Sequence, residues 1–473
     1  MLTQKRDIQM NNFSRLGFIM ATLGSSIGLG HIWRFPYMAG ENGGGAFVIF
    51  YLILALCIGV SMLIAEMLLG NIARSNPLDN YPILDKLNTS PTAHDKLDIH
   101  NQSVQDLKPL NKSLMWLGIN AIAGPLILSF YAVVMGWILY YLIFVSTHLP
   151  SDIQGSVALF NEIRTQSFLW QSLCFASIIA FTAFVVARGI KKGIERLNLI
   201  LMPLLFIIFV GLLIYALTLE EFGKSWHFMF HFDPSRITLD TLIESLAQVF
   251  FSLSLGVSTI AVYAANAKEG ENLLKSGLWV VISGIVISLI AGLMIFTFIY
   301  HFDGQPSEGV GLLLISLPLA FHSLGSSGEV ISILFFIAVL FAGLTSTISM
   351  LEPGVRILCD KLNFSQAKAS YTLGGVILIL GFLVILWSNA DLNMPTIREK
   401  NLFDMLDFLT TSVLMPLGML CVLLFLGWYI KVENLRKWTP YLPNTLFFVW
   451  LWILRIVAPG IILVIFISQL FSA

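Results

Sequence analysis

Three observations predict an all-α polytopic membrane protein. Apolar residues make up 57% of the 473-residue chain and charged residues only 12%, with a mean hydropathy of +0.83; soluble domains carry about 25% charged residues. Apolar runs of about 20 residues, enough to cross a hydrocarbon core, recur eleven times. Lysine and arginine are rich in every second connecting segment and sparse in the others.

The eleven runs occupy 16–38, 46–71, 113–147, 167–187, 195–217, 241–266, 276–300, 327–358, 369–388, 402–430 and 442–470. Glycine and polar residues interrupt the first, and no clear cleavage site follows it, so it reads as a span and not a signal peptide. With the N-terminus inside, the inner segments hold 20 of the 27 lysines and arginines and the outer segments five; Arg34 and Arg455 lie within spans. This bias follows the positive-inside rule. It predicts an inner (cytoplasmic) membrane protein with its C-terminus outside.

A net charge of −1 leaves no global field to attract nucleic acid. The cysteines (Cys57, Cys174, Cys359, Cys421) show no metal-ligand spacing and read as buried thiols. "GLGHIW" (28–33) ends on Trp33 where a dinucleotide loop needs a small residue. The polar segment 72–112 reads as a cytoplasmic loop or surface helix. Neither an activated nucleophile nor a paired acid and base is visible, so an enzyme is not expected, nor is an organic cofactor.

Two spans are weakened from within. Residues 24–37, "GSSIGLGHIWRFPY", put three glycines, a histidine, an arginine and a proline into the first. Residues 250–258, "FFSLSLGVS", put three serines and a glycine into the sixth. Glycine and serine are poor helix formers, and freed backbone groups survive in a membrane only beside protein or a cavity. Close helix packing through small residues explains one such span. Two, at the first and sixth of eleven, match corresponding positions of two five-helix halves, where broken helices build a site near the midplane.

"GSSIGLGHIWRFPY…ENGGGAF" (24–47), "FFSLSLG" (250–256), "AGLTS" (342–346) and "FDMLDF" (403–408) together resemble the neurotransmitter:sodium symporter family, over about residues 14–430. The eleven spans are similar to its bacterial amino-acid transporter branch. The resemblance implies a single transporter domain with an inverted five-plus-five repeat. Repeat one would cover about 14–217, repeat two about 241–430, and an additional helix about 442–470. It also implies alternating access in a lipid bilayer, with sodium-coupled symport of a small amine or amino acid.

Residue by residue, the resemblance implies a substrate carboxylate held by Ser26, Gly28, Leu29, Gly30 and Tyr131. Half-helix N-termini suit an anion. Monoamine carriers of the family place an aspartate where this chain has Gly28, so an amino acid is expected over a decarboxylated amine. Ser25, Ile127, Val134, Phe251, Ser254, Val257, Ser346 and Met350 would line the side-chain pocket. They offer no charge, which fits a neutral substrate, hydrophobic or aromatic.

Sodium needs oxygen ligands, and "AGLTS" puts Ala342, Thr345 and Ser346 on one helix face. With the carbonyls of Gly24 and Ile27 they match the family's second sodium site. The first site is altered. Its two asparagine or aspartate positions read as His31 and Gly284, leaving Ser26 and Ser252, and imidazole is a poor ligand for a hard ion. His31 then either displaces that sodium as a counter-charge or proton site, or bonds locally as a neutral ring. Tyr51, Gln248, Ser252 and Ser288 match a chloride set; bonding to one another is the other reading. Arg34 with Asp407 matches the outer gate and Asp360 the inner-gate acid. The inner gate's usual arginine and tryptophan read as Gln9 and Asn12, with Lys5 or Arg6 as substitutes. Gly193 and Pro203 match a spacing at which the fifth helix opens. A proton-coupled carrier or exchanger of the same fold, or an amino-acid sensor, are the competing readings.

Overall fold

The computed structural model describes residues 12–89, 111–302, 304, 311–388 and 401–471. Among them nine helices are long and apolar enough to cross a membrane, from Gly45–Ala73 to Asn444–Ser468. Arg15–Ser26 and Gly30–Glu41, bent by 55°, make a tenth span. Leu239–Ser252 and Thr259–Ala265 are the broken halves of another, each too short to count alone. Every one of the eleven apolar runs coincides with one of these elements, and the spans are numbered in chain order below. The end carrying 41–45, 146–167 and 217–238 is called outer for its sparse lysine and arginine.

Each break has a local cause. In the first span, Ile27 leaves the helix at φ −79°, ψ 90°, and the chain restarts at Gly30. The N–H of His31 turns to the Gly28 carbonyl (3.2 Å), so the Ile27 carbonyl loses its usual i+4 partner. In the sixth span, Ser254 (φ 51°), Gly256 (φ 83°) and Ser258 (φ 64°) all lie in the left-handed region. For the serines this costs of order 1–3 kcal/mol each. Gly256 is obligatory as well, because a β-carbon there would collide with the Met415 carbonyl.

The rest of the molecule holds the second break open. The Gly256 N–H donates to Glu66 Oε2 of the second span (2.9 Å), and its carbonyl accepts from Asn120 Nδ2 (2.6 Å). Leu253, Ser254 and Leu255 return their N–H groups to Val249, Phe251 and Phe250. Few backbone groups are left for lipid to punish, as an interrupted span requires.

The segment 72–112 is partly a helix, Pro77–Thr89, whose Tyr81, Leu84 and Leu87 are buried; 90–110 fall outside the described residues. The fifth span opens with a π turn, Ile190–Glu195, and continues as α-helix from Arg196 to Ala216 through Pro203. The irregularity expected between Gly193 and Pro203 is confined to that first turn.

Candidate functional site

The two breaks face each other across a cavity of about 220 Å³. Ser26, Gly28, Leu29 and Gly30 form one side, Phe251, Ser254 and Val257 another. Ile127, Tyr131 and Val134 of the third span and Ser346 and Met350 of the eighth (Gly325–Leu362) close it. Ser25 stands behind the wall, fully buried, its carbonyl accepting from Ser254 Oγ (3.0 Å). Phe130, Thr259, Phe403 and Asp407 also border the space, the last bringing an ionisable group that was not expected in the lining.

Glycine sets the approach distances. A β-carbon at Gly28 would stand 2.5 Å from Ser346 Oγ and 3.2 Å from Tyr131 Oη, and one at Gly30 2.8 Å from the Phe251 ring. Tyr131 Oη accepts, at 3.5 Å, from the N–H of Leu29 inside the break. A hydroxyl and a restarting helix thus converge on one end of a hollow whose lining is largely apolar. That arrangement can receive a carboxylate with an uncharged side chain.

Beside it, the first and eighth spans meet. Ser346 Oγ donates to the Gly24 carbonyl (3.4 Å) and the Ala342 carbonyl (3.2 Å), and Thr345 Oγ1 donates to Ala342 (2.9 Å). All are buried. These oxygens are of the kind a hard cation needs, and the Ile27 carbonyl has lost its helical partner at the break.

At the position expected to be an altered ion site stands the ring of His31. His31 is fully buried; neither ring nitrogen meets a partner at good hydrogen-bond geometry, and the Ser26 backbone lies against the ring. Its ring rests on Gly284, where a β-carbon would come 2.6 Å from Nε2. Ser26 Oγ is unpartnered, whereas Ser252 Oγ donates to the Val249 carbonyl (3.1 Å). Nearby, the Tyr51 hydroxyl lies beside Ser252 and Ser288. Gln248 is committed elsewhere: Nε2 donates to Gly30 (2.8 Å) and Oε1 accepts from Arg34 Nη1 (3.0 Å).

At the outer rim the expected pairing of Arg34 with Asp407 is not formed; among the described residues no ion pair joins them. Arg34 reaches Glu244 instead (3.9 Å) and lies over the Phe251 ring at 4.9 Å. Arg34 and Asp407 border a common hollow. At the other end, Asp360 pairs with Arg356 (3.2 Å) and accepts from Asn76 Nδ2 (3.1 Å), while Lys361 meets Asp79 at 2.6 Å. Asn12 is buried at its oxygen without a partner; Lys5, Arg6 and Gln9 lie outside the described residues.

Sequence reasoning passed over Glu66, Asn120, Glu244 and Thr259. Glu66 and Glu244 carried a signal, each being an acid inside an apolar run.

A sodium-dependent membrane carrier is the class that this fold and these two breaks define, and the comparisons agree. The model of the "Sodium:neurotransmitter symporter family" matches residues 10–89 and 153–473, and the chain belongs to that family. It is 34% identical over 469 residues to the sodium-dependent transporter YhdH of Bacillus subtilis, covering 96% of both chains. It is 24% identical over 439 residues to "Sodium-dependent nutrient amino acid transporter 1" of Drosophila melanogaster, covering 76% of this chain and 64% of that one. The crystal structure of MhsT in complex with L-phenylalanine superimposes with a TM-score of 0.83 at 33% identity, covering 97% of this chain and 99% of that one.

Proposed function

We propose that this protein is a symporter that takes up a neutral amino acid, hydrophobic or aromatic, by alternating access. The observation that carries this reading is the cavity between the breaks: backbone and Tyr131 at one end, a largely apolar wall elsewhere, and Asp407 as the one acidic side chain among the described lining residues. The L-phenylalanine bound to the similar MhsT supports an amino-acid substrate of this kind.

Gly24, Ile27, Ala342, Thr345 and Ser346 would hold one sodium ion. His31 and Gly284 would replace the ligands of a second, with Ser26 and Ser252 as what remains of it. Tyr51, Gln248, Ser252 and Ser288 are a chloride candidate, and Arg34, Asp407 and Asp360 serve as gates. The chain acts as one transporter domain, its two repeats as delimited above, in an inner membrane with its N-terminus inside. A proton-coupled variant of the same cycle would carry its proton on buried His31.

Reconstituted vesicles with imposed sodium, proton and chloride gradients, offered labelled phenylalanine, tyrosine, leucine and glutamate, test this. Uptake of the neutral amino acids under a sodium gradient alone is expected. Uptake under none of the sodium-driven conditions overturns the proposal.

A further inference from the structure

The fifth span points an oxygen at the sodium ligands. Asn198 is fully buried. Its Nδ2 donates to the Ile194 carbonyl (2.8 Å), which fixes the amide orientation and leaves Oδ1 as the free end. That oxygen has no hydrogen-bond partner. It faces Gly24: a β-carbon there would collide with Oδ1 and stand 2.9 Å from the Thr345 β-carbon. Gly24 is therefore sandwiched between Asn198 and Thr345, with its carbonyl turned to Ser346.

We infer that Asn198 Oδ1 is a further sodium ligand, contributed by the fifth span to the set from the first and eighth. The inference rests on the sodium site proposed above. An amide oxygen is the ligand type a hard cation selects. A buried acceptor left unpaired is unfavourable, so an oxygen fixed in this orientation gains its partner only when the ion arrives. The contact also ties sodium occupancy to the fifth span, three residues past the π turn Ile190–Glu195. Loss of the ion frees that span from the first.

Radiosodium binding to the purified protein and the sodium-induced rise in melting temperature test the assignment. Asn198→Ala should raise the half-saturating sodium concentration about tenfold or more, with potassium without effect in either form. Asn198→Asp, which loses the donor to Ile194 but keeps an oxygen, should recover most of the affinity. If Asn198 merely caps the fifth helix, Asp and Ala will weaken sodium binding alike and lower the sodium-free melting temperature alike; that result overturns the inference. Unchanged sodium affinity in Asn198→Ala overturns it too. Absence of sodium binding in the unmodified protein is a different failure, that of the underlying sodium site.

Discussion

His31 and Gly284 fit together as a pair: the imidazole of the first span occupies the space that a side chain on the seventh would need, 2.6 Å from where its β-carbon would stand. An enlarged residue on one helix is matched by the smallest on the other. Gly284→Ala should overpack this contact at a cost of about 1–3 kcal/mol, read as a lower melting temperature in detergent. His31→Asn together with Gly284→Asn should relieve the crowding and restore oxygen ligands, so the sodium dependence of uptake becomes steeper. His31→Asn alone, with uptake followed against pH, separates the roles of the ring. A profile identical to that of the unmodified protein rules out a proton on His31.

Tyr131→Phe removes the acceptor of the Leu29 N–H and the hydroxyl at the cavity's polar end. Hydrogen bonds to charged groups contribute about 1.5–3 kcal/mol, so the KM for substrate should rise roughly tenfold to a hundredfold. Sodium binding without substrate should stay as it was. A KM within a factor of about two of the original would place the carboxylate elsewhere.

Thr259 opens the second half of the sixth span, and its hydroxyl is buried without a partner at the cavity wall. The residue four before it is Leu255, in the unwound segment, so the usual back-bond to a helix carbonyl is missing. Thr259→Val keeps the shape and deletes the hydroxyl. Competition assays should show tyrosine losing about threefold to tenfold relative to phenylalanine, one neutral hydrogen bond's worth. An unmoved ratio would show that the hydroxyl never meets substrate.

Glu66→Ala removes the acceptor for Gly256 and should destabilise the protein by about 1–3 kcal/mol, whereas Glu66→Gln keeps an oxygen and should lose less. Thermal melting in detergent ranks them; equal losses would mean that the hydrogen bond to Gly256 is not what matters.

Outside the membrane, Glu221 accepts from His301 Nδ1 at 3.0 Å, and this hydrogen bond draws the carboxyl below its ordinary pKa. The unfolded chain then binds the proton more readily than the folded one. The stabilisation is complete above the ordinary glutamate pKa and is lost as pH falls through the lowered folded value. Pairs at the surface contribute about 0–1 kcal/mol, so Glu221→Gln should flatten the acid side of a melting-temperature profile only slightly. A profile steepened by the substitution would contradict this.

The spans were legible because a bilayer dictates their length, and the two breaks because glycine and serine weaken a helix; the cavity lining followed only from the family resemblance. Partner choice was not. Arg34 has Glu244 and Asp407 both in its neighbourhood, and spacing along a chain does not say which carboxylate it meets in a given conformation. Asn198 was invisible for another reason. It is a single polar residue in an apolar helix, and its meaning depends on which end of an amide points where. Glu66 could have been found from its chemistry alone, but its target, one peptide unit in a distant helix, required the fold.

The two breaks are not built alike. Both polar atoms of Gly256 are gripped, by Glu66 and Asn120, and Gly418 of the tenth span closes on its carbonyl. The break in the first span has the turn bonds Gly28 to Ser26 (3.0 Å) and His31 to Gly28 (3.2 Å), the long contact to Tyr131, and side-chain bonds from Ser254 to Ser25 (3.0 Å), Gln248 to Gly30 (2.8 Å) and Ser346 to Gly24 (3.4 Å). The Gly256 segment is thus tied by side chains to the second and third spans, whereas the first span meets Tyr131 of the third only through a long contact. Spin labels bridging the first and third spans should report a changing distance through the cycle, while a pair bridging the second span and the Gly256 segment stays still.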